Sequence, residues 1–145
     1  MVTLVEMSER VLLAIWPHPP VGTGSQEVSS LRYFLREVLR RSRPSGVSVT
    51  VALYYLARAS RNPLSTKGSS DPRVCGRRMF LAALVLSVKY LDDRRYSNKA
   101  WARVSGLSVE EVGRCERALV AWLDWDLYIV PDKLVLWTNT LRRHL

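Results

Sequence analysis

The chain has 145 residues, 48% hydrophobic and 24% charged, with a formal net charge of +9. That length and composition suit one folded domain with its own core, and they exclude a disordered segment. The longest apolar run, from Met79 to Leu86, falls far short of the roughly 20 residues that cross a bilayer, so no membrane partner is expected.

Two cysteines, Cys75 and Cys115, lack CxxC spacing, which argues against a zinc site or a disulfide framework and for a reducing compartment. The N-terminus carries Glu6, Glu9 and Arg10 and no basic n-region, so an intracellular location in the nucleus, the cytoplasm or both is expected. The positive charge suggests an acidic partner or nucleic acid. Yet arginines recur along the whole chain, from Arg36, Arg40 and Arg41 to Arg103, Arg117 and Arg142, which fits a solvated basic surface equally well.

In chain order, residues 2–16 have the pattern of a short amphipathic helix, closed by Pro17-His18-Pro19-Pro20. A Gly/Thr/Ser loop follows through Ser25. From about Gln26 to Arg41, Val28, Leu31, Leu35, Val38 and Leu39 recur at helical spacing opposite Arg32, Arg36 and Arg40. Val47, Val49, Val51 and Leu53 alternate with polar residues as a strand would. No second strand pattern exists to pair with them, so tertiary context predicts a helix to about Ser60.

Residues 61–70 read as a loop, and Asp71-Pro72 is a helix start signal. The helix from Pro72 to about Asp92 is apolar all round between Met79 and Val88, which predicts the central helix of the fold. Tyr96-Ser97-Asn98 opens a short helix carrying Trp101 and ending at Gly106. Ser108 and Glu111 form a capping-box pattern for the next helix, and a last one is expected from Pro131. The fold class is therefore all-α: five consecutive helices between about residues 26 and 125, flanked by one at each end.

Catalytic chemistry has little to stand on. His18 and His144 lie in a proline-rich linker and at the chain end, with no Ser, Cys or Asp companion near them in sequence. There is no Gly-rich phosphate loop, and the adjacent pairs Asp92-Asp93 and Glu110-Glu111 cannot face each other on a helix. A non-catalytic protein without cofactor or metal is expected.

Two charges stand out instead. On the helix from Val109 to Asp124, Val112, Cys115, Leu119, Trp122 and Leu123 form one apolar stripe, and Glu116 projects just inside its edge. Glu110 and Arg114 have favourable i,i+4 spacing on the polar side. Lys89 closes the apolar run of the central helix. Taken singly, such a lysine snorkels and such a glutamate reaches solvent; together they suggest a partner surface, because buried unpaired charge is costly.

The segment CGRRMFLAALVLSVKYLDDRRYSNKAW, then RVSGLSVEEVGRCERAL, then LDWDLYI, resembles a cyclin box. It is especially similar to the fungal single-box cyclins of the phosphate-pathway, or PCL, type. Upstream, VALYYLARASRNP is similar to the second cyclin-box helix. The resemblance covers about residues 26–130 and implies a five-helix box around a central apolar helix, with residues 1–25 and 131–145 as flanking segments.

It further implies a regulatory subunit that binds a cyclin-dependent kinase as a heterodimer and activates it. In cyclins the lysine ending the third box helix and a glutamate within the fifth contact the kinase, and these fall on Lys89 and Glu116. Tyr90 and Leu86 are expected to add apolar contacts, while Trp101, Trp122 and Trp125 are expected in the core. EVSSLRYFL stands where many cell-cycle cyclins carry a Met-Arg-Ala-Ile-Leu patch, so substrate docking there is not implied. The loop at 61–72 is long for a cyclin and expected to be mobile, and the chain leaves no room for a second box. The alternatives are a cyclin-fold adaptor for nucleic acid or transcription machinery, and a scaffold that binds a kinase without activating it.

Overall fold

A computed structural model describes residues 3–17, 24–63, 71–91 and 97–143, with 24–29 described by backbone alone. The expectation of a mobile loop falls mainly on residues outside this set, as do His18 and His144. The described residues form α1 (Leu4–Ile15), α2 (Gly24–Ser42), α3 (Gly46–Ala59), α4 (Gly76–Leu91), α5 (Asn98–Ser105), α6 (Val109–Trp122) and α7 (Pro131–Arg143), with no strand.

The caps explain the boundaries. Thr3 and Glu6 make a reciprocal capping box on α1. Ser45, Ser97 and Ser108 each accept the N3 amide of α3, α5 and α6. At the Ser108 cap the Glu111 carboxylate turns instead to Arg114 at 3.0 Å and Arg78 at 3.5 Å, so Arg114 pairs three residues back rather than with Glu110. Gly106, at φ +80°, ends α5 in the left-handed conformation that glycine adopts without strain.

α4 is the central helix: every residue from Met79 to Val88 is buried. α3 and α6 flank it most closely. The alternating pattern of α3 is a helix because it too is covered nearly all round, with Val49, Val51, Ala52, Leu53, Tyr55, Leu56 and Ala59 all buried. Ser48, at a polar position of the alternation, is buried as well, and its hydroxyl accepts from Ser45.

The expected continuous helix from Pro72 is broken. Pro72–Val74 forms one turn of 3-10 helix, Cys75 is extended, and α4 starts at Gly76. The cause is Trp16, whose ring lies against Gly76 and whose Nε1 donates to the Arg73 carbonyl at 3.0 Å. That carbonyl would otherwise accept within the helix. The same indole meets Trp122 edge-on, 6.2 Å between ring centres. α1 therefore packs on the box itself, with Leu12 buried and Glu9 holding Arg32 of α2 through two hydrogen bonds of 2.8 and 2.9 Å.

Candidate functional site

The apolar stripe of α6 is buried as its spacing predicts, from Val112 and Cys115 to Leu119, Trp122 and Leu123. Glu116 sits at its edge, with 17% of its side chain exposed. Lys89 ends the buried run of α4 and is 44% exposed. The two misfit charges meet each other: Lys89 Nζ donates to Glu116 Oε2 at 2.9 Å and to Oε1 at 3.2 Å. Asn98, the first residue of α5, completes the group. Its Oδ1 accepts from Lys89 at 3.4 Å and its Nδ2 donates to Glu116 Oε1 at 3.5 Å.

Three helices thus converge on one charged cluster. A half-exposed pair of this kind contributes about 0–1 kcal/mol to folding. Its charges need no outside partner to be tolerated, yet they remain reachable from solvent.

Around the cluster lies apolar surface. Tyr90, next to Lys89, is 56% exposed, and Leu91 is exposed beside it, whereas Leu86 is buried one turn back. Burial pushes the Tyr55 phenol up to about 12, and Tyr90 is close enough to add to that shift. The Tyr55 hydroxyl donates to the Leu127 carbonyl at 2.9 Å, which ties α3 to the segment after α6. Arg58 holds the same segment by donating to the Asp126 and Tyr128 carbonyls at 2.8 and 2.9 Å.

That segment corrects one expectation. Trp101 and Trp122 are core residues, but Trp125 is 77% exposed. Asp124 and Trp125 have φ of 54° and 61°, so the chain turns back through two left-handed residues as it leaves α6. The Trp125 amide bonds the Val120 carbonyl at 3.0 Å, and the turn leaves its indole outside. Such conformations cost of order 1–3 kcal/mol each in non-glycine residues and cluster at functional sites. The sequence signal was available: Asp124 is a residue type that tolerates left-handed geometry.

The cyclin family model matches residues 24–127. The chain belongs to the cyclin family. Among its relatives, this cyclin is 36% identical over 138 residues to the G1/S-specific cyclin pas1 of Schizosaccharomyces pombe, covering 93% of this chain and 33% of that protein. It is 38% identical over 129 residues to PHO85 cyclin-5 of Saccharomyces cerevisiae, covering 86% of this chain and 56% of that one. Cyclin-U4-1 of Arabidopsis thaliana is 24% identical over 136 residues. The chain therefore spans between a third and somewhat over half the length of the two fungal cyclins. The resemblance to fungal PCL-type cyclins and the all-α box agree with these findings.

Proposed function

We propose that this cyclin is the regulatory subunit of a cyclin-dependent Ser/Thr kinase and activates it by docking. The observation that carries the reading is the Lys89–Glu116–Asn98 cluster at the junction of α4, α5 and α6, half open to solvent beside exposed Tyr90. Membership of the cyclin family and likeness to fungal cyclins, PHO85 cyclin-5 among them, support it.

In this reading the kinase αC helix lies across the exposed ends of α4 and α6. Lys89 donates to kinase backbone carbonyls and Glu116 accepts from backbone amides, while Tyr90 and Trp125 supply apolar contact and buried Leu86 supports them from beneath. Because Lys89 and Glu116 already hold each other, little side-chain entropy is lost when the partner arrives. Docking fixes αC inward and completes the kinase's own Lys–Glu ion pair, which aligns the ATP phosphates. The cyclin contributes no reacting group.

The test is co-purification with candidate kinases and assay of their activity, comparing wild type with the Lys89→Ala/Glu116→Ala variant. The reading expects loss of both binding and activation. Retention of a kinase without activation supports the scaffold alternative. Binding to DNA that falls steeply with salt, with no kinase retained, supports the nucleic-acid adaptor.

A further inference from the structure

Where α6 passes α5 lies a second cation, Arg117, that the Lys89–Glu116 pair does not use. Gly113 is a buried glycine in the interior of α6, where glycine weakens a helix relative to alanine. The space it leaves is taken: a Cβ at this position would meet Arg117 Nη1 at 3.0 Å and Asn98 Nδ2 at 3.8 Å. The Arg117 guanidinium therefore lies back along α6, over Gly113, toward the Asn98 amide that reaches Glu116.

Two of the three carboxylates of α6 are already engaged, and the third, Glu110, is exposed. Glu116 holds Lys89, and Glu111 holds Arg114 and Arg78. Among the described residues, no carboxylate comes within 4.0 Å of Arg117. Lys99 and Arg103 are exposed on α5, and with Arg117 they outnumber the exposed Glu110 of α6. The planar Arg117 guanidinium offers a fork of donors suited to a carboxylate.

Resting on the kinase-binding reading above, we propose that Arg117 docks a carboxylate side chain on the kinase and that Gly113 sets its pose. The contact selects kinases with an acidic residue facing this rim. A charge at the edge of an interface acts on the association rate and its salt dependence, whereas the central Lys89–Glu116 contacts act on the lifetime of the complex.

Surface-plasmon kinetics of the full chain against a panel of cyclin-dependent kinases, at about 50 and about 300 mM salt, separates the two. Arg117→Glu should slow association with the cognate kinase about tenfold at low salt, by much less at high salt, and leave dissociation nearly unchanged. Gly113→Ala should raise the thermal midpoint yet slow association as Arg117→Ala does, which a purely structural glycine would not do. Unchanged association of Arg117→Glu, alongside faster dissociation of Lys89→Ala/Glu116→Ala, overturns this proposal and leaves the kinase reading standing. Faster association of Arg117→Glu overturns it by pointing to a basic partner surface. A wild-type chain that binds no kinase in the panel removes the underlying reading and this proposal together.

Discussion

Glu9 shows what a single side chain contributes to holding α1 on the box. Its carboxylate is largely buried and accepts two hydrogen bonds from Arg32, which, with the attraction of that cation, hold its pKa below the usual carboxylate value against the opposing effect of burial. A depressed folded-state pKa gives stability that is present above the unfolded value and lost as pH falls through the folded one. Urea denaturation at successively lower pH, from about 6 downward, should therefore show wild type losing more stability on the acid side than Glu9→Gln. Parallel acid limbs would contradict the assignment. The cysteines differ in the same residue-level way. Burial, reinforced by Glu111, pushes the Cys115 thiol up to about 12, while Cys75 is only partly covered. Since the thiolate is the reactive form, iodoacetamide near pH ~8 should alkylate Cys75 well before Cys115, and equal labelling would show that the α6 stripe opens.

Among the elements, the turn after α6 departs most from local backbone preference. Two consecutive left-handed residues place Trp125 in solvent, although the cyclin resemblance implied a core position. Trp125→Ala should change folding stability by no more than about 0.5 kcal/mol, as for other exposed positions, while weakening kinase binding in a pull-down titration. A large stability loss would mean that the indole packs after all. The helices themselves were largely legible, because Ser97, Ser108 and Gly106 are caps whose chemistry is local. What was not legible came from distant contacts. The break at Cys75 depends on Trp16, some 60 residues earlier in the chain. The helix over Val47–Leu53, by contrast, was readable from the lack of any partner strand, and burial on nearly all sides of α3 explains why its two-residue alternation means nothing. Lys89 and Glu116 were readable as misfits, but not as partners of each other, since no periodicity reports which helices meet.

For the molecule as a whole, one buried helix, α4, carries the packing and ends at the charged cluster, so the core and the candidate site share a scaffold. α1 is fastened to that scaffold through Leu12, Glu9 and Trp16, and α7 through Trp137, whose Nε1 donates to the Thr50 carbonyl at 3.0 Å and whose ring meets Tyr54 edge-on. The surface around α4, α5 and α6 is therefore presented on a fixed frame, as a docking surface requires. The central claim is that this frame exists to offer Lys89 and Glu116 to a kinase. It is tested most directly by measuring the affinity and activity of a partner kinase with wild type and with Lys89→Ala/Glu116→Ala, alongside the thermal stability of both. The account predicts a variant whose folding is weakened by no more than about 1 kcal/mol, whose affinity falls by roughly 2–5 kcal/mol, and which no longer activates the kinase. A well-folded variant that binds and activates as wild type does would contradict it.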